Sequence, residues 1–213
     1  MFKRIIALHF LGINALFAGG MGVEPTTNTS PFYLGVYGGY GHINGAYKSD
    51  GNYAQGRVAF GTSFKHLSNN TIGFELGLQS GNSMRLNGNQ IFNGVPAVIP
   101  LANLKPIIDG LVTVKGKFQQ SQAMFYMVKG GIAYRQFHLE DRTSSHDTLN
   151  EIAPELQIGL GTNITPNLAA TIFYQGIYSN SSAGIGRDAF GDTTIQHVPT
   201  QQAGFIGLEY TLN

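Results

Sequence analysis

The chain has 213 residues, of which 12% are charged and 29 are glycine; it has no cysteine and a formal net charge of +1. That length accommodates one all-β domain rather than two. The absence of cysteine excludes disulfides, a lipoprotein anchor and thiolate metal sites, and a near-neutral chain with no basic stripe excludes nucleic acid as a partner.

Residues 1–20 have the layout of an export signal. Lys3 and Arg4 precede a mostly apolar run over residues 5–18, and Ala18-Gly19-Gly20 offers small residues for cleavage after Gly20. The run is broken by His9 and Asn14, too short to cross ~30 Å of hydrocarbon as a helix. Residues 21–31 carry two prolines and no periodicity and are expected to be a flexible lead-in. Residues 32–213 then alternate strand-like segments with polar connections.

The strands are expected at 32–42, 54–64, 71–80, 108–118, 122–136, 152–161, 168–178 and 202–212. The evidence is period two. Ile72, Phe74, Leu76 and Leu78 interleave with Gly73, Glu75, Gly77 and Gln79; Leu156, Ile158 and Leu160 interleave with Glu155, Gln157, Gly159 and Gly161. Connections alternate long (43–53), short (65–70), long (81–107), short (119–121), long (137–151), short (162–167, with Thr165-Pro166-Asn167) and long (179–201). All long connections therefore meet at one rim, the asymmetry of outer-membrane barrels.

A soluble ligand-carrying barrel also alternates, with its apolar face inside. Here the glycine face, with Gly35, Gly39, Gly61, Gly73, Gly77, Gly131, Gly159, Gly161 and Gly207, also carries Arg57, Glu75, Lys115, Lys117, Lys129, Arg135, Glu155 and Glu209. Small residues beside long charged ones suit a cramped interior, whereas glycine on a solvated face only weakens a strand. The Ile/Leu/Val/Phe face carries no charge, as a lipid-facing surface requires. Aromatics gather at its two ends: Phe60, Phe64, Phe118 and Tyr210 at the short-turn rim, and Tyr40, Tyr53, Tyr134 and Tyr178 at the other. Phe125, Phe173 and Phe205 fall on the inward face. The fold class expected is an all-β, eight-stranded antiparallel up-and-down transmembrane β-barrel, whose lumen is about wide enough for side chains to fill.

The opening strand Phe32-Tyr33-Leu34-Gly35-Val36-Tyr37-Gly38-Gly39-Tyr40-Gly41, the Gly159-Leu160-Gly161 to Thr165-Pro166-Asn167-Leu168 hairpin and the terminal Tyr210-Thr211-Leu212-Asn213 resemble the small bacterial outer-membrane β-barrel family of the OmpA membrane domain, OmpX and opacity-type proteins. The resemblance covers residues 31–213. It implies a bacterial outer-membrane location, contact with lipid and lipopolysaccharide, and insertion by the outer-membrane assembly machinery. Family members commonly end in an aromatic residue; this chain ends Leu212-Asn213, which leaves that signal to Leu208, Tyr210 and Leu212.

The lumen charges are the main constellation. Arg57, Glu75, Lys129 and Glu155 are expected to form an internal salt-bridge core, with Lys115, Lys117 and Glu209 nearer the periplasmic mouth. Such a network either fills the barrel statically or gates a narrow diffusion channel. In the connection 137–151, His138, Glu140, Asp141, Ser144, Ser145, His146 and Asp147 offer Ser/His/acid chemistry, as a lipid-modifying enzyme would need, but with no evident oxyanion donor; they read as a solvated external loop. His138 and His146 have no recognised metal-ligand spacing. Within 81–107, Ile91, Phe92, Val95, Val98, Ile99 and Leu101 serve a partner surface, a lid over the mouth, or an extra hairpin at 89–99. The reading is a non-enzymatic surface structural or interaction protein, with no cofactor and no metal, engaging host or surface partners through its external loops.

Overall fold

Period-two alternation gives each segment one apolar and one small-or-polar face, and the structure joins these segments edge to edge. A computed structural model describes residues 32–67, 69–92, 95–98, 101–118, 121–140, 146–179, 185–187, 193–195 and 197–212. The expected signal 1–20 and lead-in 21–31 lie outside the described residues. In chain order the strands are β1 (Phe32–Ile43), β2 (Asn52–Leu67), β3 (Asn70–Gln79), β4 (Asn82–Met84), β5 (Asn87–Phe92), β6 (Val95–Val98), β7 (Leu101–Leu104), β8 (Ile107–Phe118), β9 (Ser121–Glu140), β10 (His146–Asn163), β11 (Leu168–Ile177), β12 (Ile185–Arg187), β13 (Thr193–Ile195) and β14 (Gln201–Thr211).

The long strands run β10-β11-β14-β1-β2-β3-β8-β9, and β9 pairs back onto β10. The result is a closed eight-stranded antiparallel barrel. First and last strands meet from Tyr33 opposite Thr211 to Ile43 opposite Gln201. The Thr165-Pro166-Asn167 turn is closed by the Leu168 N–H donating to Thr165 Oγ1 at 3.0 Å.

Each barrel strand exposes at least one aliphatic side chain by more than half: Val36, Val58, Leu76, Val112, Ile132, Ile158, Ile172 and Ile206. In water such a girdle would be an extreme apolar patch; around a closed barrel it is a lipid-facing belt. On β9 the belt runs from Met124 to Tyr134, which at about 3.4 Å per residue and a tilt of about 40° is roughly 25 Å tall. Phe60, Phe64, Phe118, Tyr210, Tyr40, Tyr134 and Tyr178 are exposed at its two ends. Tyr53 is not part of this girdle: it points inward and is 7% exposed, because residue parity in β2 puts it on the face of Gln55 and Arg57.

The barrel continues beyond the belt. The connection expected at 137–151 is largely ladder, with β9 and β10 paired as far as Glu140 opposite His146. Phe137 and Leu139 keep the inward parity of Arg135 and are fully buried, so the strand alternation persists where lipid no longer dictates an apolar outer face. In the connection 81–107, β4 pairs with β7 and β7 with the upper part of β9, while β5 and β6 form a separate hairpin. Met84, Leu86, Ala102 and Leu104 turn inward to close the mouth; the side chains of Ile91, Phe92, Val95, Val98 and Ile99 lie outside the described residues.

An Ile206→Arg variant is expected to lower folding stability in lipid vesicles by about 2–4 kcal/mol, measured by urea titration. A Gln202→Arg variant, on the same outward face beyond the belt, loses at most about 1 kcal/mol, the near-interface value.

Candidate functional site

The interior is stacked in tiers, set by the register of inward residues. At the short-turn end, Lys115 on β8 pairs with Glu209 on β14, and the Lys115 ammonium lies 4.0 Å from the centre of the Tyr33 ring. At mid-height Lys129 on β9 contacts Glu75 at 2.7 Å and Glu209 at 3.8 Å. Tyr33 and Tyr37 donate to Glu75 and Glu209 at 2.7 and 2.9 Å. Arg57 on β2 contacts Glu75 through Nη1 at 2.9 Å, off the line of a hydrogen bond, and holds Asp109 through Nε and Nη2 at 3.1 and 2.5 Å. Apart from the half-buried Lys115 these ions are buried, so the network is tolerable only because each charge meets an opposite one.

Of the residues read from the sequence, Arg57, Glu75, Lys115, Lys129 and Glu209 thus form one connected chain. Glu155 is buried but stands apart from the ion pairs among the described residues: its Oε1 accepts from Gln157 Nε2 and Gln175 Nε2, both at 2.6 Å. Lys129 lies opposite Gln157 rather than Glu155, and its ammonium goes to Glu75 and Glu209 instead. Lys117 is exposed at the short-turn mouth, where the β8–β9 register shifts, and takes no place in the interior network.

Asp109 was not singled out in the sequence, although it shares inward parity with Leu111, Thr113 and Lys115; the signal was present. A glutamine tier was also missed. Gln55 Oε1 accepts from Gln79 Nε2 at 2.5 Å and from Gln201 Nε2 at 3.4 Å, and uncharged residues on an inward face carry no charge pattern to flag them. The room for all this comes from glycine. A Cβ at Gly77 would fall on the Arg57 guanidinium and the Asp109 carboxylate, and one at Gly61 on the Tyr33 ring.

Above the polar tiers lies an apolar core. Ile43, Tyr53, Ile107, Phe137, Leu139 and Ile177 from the barrel wall pack with Met84, Leu86, Ala102 and Leu104 from the second long connection and Val198 from the last. The external connections are tied together over it. Tyr47 N–H donates to Arg85 O and Asn87 N–H to Gly45 O, both at 2.8 Å, and Asn44 N–H donates to Thr200 O at 3.0 Å. Arg85 grips Asp50 in a two-pronged pair at 2.6 and 3.1 Å, and that guanidinium holds the Asp50 carboxyl below the usual carboxylate value. Arg135, buried in the wall, reaches Glu151 at 2.7 Å and Pro199 O at 2.8 Å; Ser179 Oγ donates to the same Glu151.

His138, read as a possible base, sits on β9 with Nδ1 3.0 Å from Thr148 Oγ1 on β10. Glu140, His146 and Asp147 lie on strands without described side chains, and Asp141, Ser144 and Ser145 fall outside the described residues. Among the described residues no group of three His, Cys, Asp or Glu is placed to hold a metal ion.

A closed barrel with a lipid belt, a filled lumen and one elaborated rim defines a small outer-membrane β-barrel protein. Comparison with solved structures agrees on the fold. The chain is similar to Ail, the attachment invasion locus protein of Yersinia pestis, with 10% identity, a TM-score of 0.54, and 88% of this chain and 100% of that one covered. It is also similar to Neisserial surface protein A (9% identity, TM-score 0.49, 87% and 100% covered) and to the N-terminal barrel of Pseudomonas aeruginosa OprF (9% identity, TM-score 0.46, 87% and 100% covered). No family model and no curated protein matches the sequence.

Two sets of variants probe the interior. Arg57→Met is expected to cost about 3–5 kcal/mol by leaving Asp109 buried and uncompensated, and adding Asp109→Asn should restore part of that loss in the midpoint of heat-modifiable gel mobility. Gly77→Ala is expected to cost about 1–3 kcal/mol by overpacking in the same assay. Gly38→Ala, whose Cβ meets nothing within 4 Å, should leave the midpoint in place.

Proposed function

We propose that the protein is a non-enzymatic, non-conducting outer-membrane scaffold that presents its interlocked external connections to a surface or host partner. One observation carries this reading: the apolar core spanning Ile43, Leu86, Leu104, Phe137, Leu139 and Val198 fills the mouth on the long-connection side. A water-filled path would have to cross that core and then break the Arg57, Glu75, Asp109 and Lys129 network. Folding two stacked cores into one small barrel favours rigidity over conduction, because apolar packing and satisfied ion pairs both resist opening.

The external rim suits presentation. Its connections are cross-linked by backbone hydrogen bonds and by the Asp50–Arg85 pair, and the last one is tied to the wall through Arg135 to Pro199 O and Ser179 to Glu151, so a partner would meet a preformed surface and little ordering entropy would be lost on binding. The structural neighbour Ail is named the attachment invasion locus protein, which is consistent with this class of role and does not define the partner. Lipopolysaccharide would surround the upper belt. The assembly machinery would read Leu208, Tyr210 and Leu212 on the outward face of the last strand.

Planar-bilayer recording of the folded, heat-modifiable form is expected to show no unitary conductance. Reproducible channels whose conductance changes in Glu75→Ala or Lys129→Ala would replace the scaffold reading with a narrow diffusion channel. Altered lipid A or released fatty acid on overexpression, lost in His138→Ala, would replace it with an enzyme.

A further inference from the structure

Among the described residues the two rims differ in charge. At the long-connection rim, Lys48, Arg85 and Lys105 are accompanied by Asp50 and Glu151. At the short-turn rim the exposed basic side chains among the described residues are Lys65, His66, whose Nδ1 lies 3.3 Å from Thr71 Oγ1, and Lys117, with no exposed Asp or Glu among those residues; Glu209, an acid at that end, is buried and engaged by Lys115.

These basic groups share one sector but not one face: Lys65 has the outward parity of Ile72 and Val114, whereas His66 and Lys117 have the inward parity of Lys115 and open at the mouth. Lys65 on β2 lies opposite Ile72 on β3, which lies opposite Val114 on β8. His66 lies opposite Thr71, which lies opposite Lys115, and Lys117 N–H donates to Asn69 O at 3.0 Å across the β2–β3 turn. Two strand spacings of about 4.8 Å separate the lysine-bearing strands. A register shift between Ser63 and Lys65 inserts Phe64 as an extra residue, so that Phe64 and Lys65 are both exposed; re-aiming side chains is what such a bulge does. Phe64 is 65% exposed and Phe118 41%. Lys65 therefore adjoins the apolar belt directly through Phe64, Ile72 and Val114, with His66 and Lys117 beside it at the mouth.

A cation at the foot of a lipid-facing apolar surface matches one amphiphile: an apolar chain above and a negative headgroup below. We propose that the β2–β3–β8 corner at the short-turn rim binds anionic phospholipid of the periplasmic leaflet, with Lys65 at the headgroup phosphate, Lys117 and His66 adding positive charge from the mouth side, and Phe64, Ile72 and Val114 along the acyl chains. The Lys65 stem runs along the outer wall while its ammonium group reaches the interface, and an anionic membrane surface adds attraction for each lysine at this rim. A cell-wall polyanion lacks the acyl chain that the adjoining belt would cover, so charge and apolarity together select the lipid.

The test is native mass spectrometry of the folded, full-length protein in neutral detergent with equimolar phosphatidylglycerol and phosphatidylcholine of identical acyl chains. Phosphatidylglycerol adducts are expected to dominate by roughly fivefold for each lysine engaged. That preference is expected to vanish in Lys65→Gln/Lys117→Gln and to persist in Lys48→Gln/Lys105→Gln at the opposite rim. Heat-modifiable mobility checks that all three chains are folded. Equal retention of the two lipids, a preference that survives Lys65→Gln/Lys117→Gln, or lysine-dependent sedimentation with peptidoglycan without any lipid preference would overturn the proposal.

Discussion

Hydrocarbon offers no partner to a backbone N–H or C=O, and the rest of this molecule follows from that constraint. An open sheet edge in the bilayer is prohibitive, so the strands must close through β1–β14 and β9–β10. Closure converts period-two alternation into two environments. Every second residue faces lipid and is apolar; every other residue faces a lumen too narrow for bulk water, where it must be small, packed or paired.

The chain meets the interior demand in two chemically distinct ways along the barrel axis. From the periplasmic end up to mid-height it places ions beside aromatic rings: Lys129 lies 5.7 Å from the Tyr37 ring centre and 5.4 Å from that of Phe173, and Phe173 stacks on Phe205 at 5.1 Å. Towards the outside it uses an ordinary hydrophobic core, assembled partly from connections that leave the membrane and fold back. A charged network inside the bilayer and an apolar cap outside it reverse the usual association of polarity with exposure. The reversal is stable because the ions are mutually satisfied, while the cap excludes water from their outer side.

The external rim continues the barrel rather than fringing it. Hydrogen bonds link the first connection to the second and to the last, and β7 joins β9 above the belt. At the β10 side the join to the last connection is made by side chains, through Arg135, Glu151 and Ser179. Among the described residues the rim is thereby tied to the wall, which is what the proposed presentation would need.

Strand number, alternation, the direction of each face and the asymmetry of the rims were legible in the sequence, because hydrocarbon on one side and a cramped lumen on the other impose a strict residue-by-residue choice. Ile206 and Glu209 declare their sides by chemistry alone. Where lipid no longer constrains the outer face the signal faded: His138 and Glu140 resembled a loop, yet their neighbours Phe137 and Leu139 extend the strand into the cap. The sequence by itself determined that Arg57, Glu75, Lys129 and Glu155 face inward. Only the tertiary structure decided that Arg57 divides between Glu75 and Asp109, that Glu155 turns to glutamines, and that Lys117 lies outside the network. Parity along a strand assigns a face, whereas partner choice depends on the reach of side chains across strands distant in the chain, which only closure brings together.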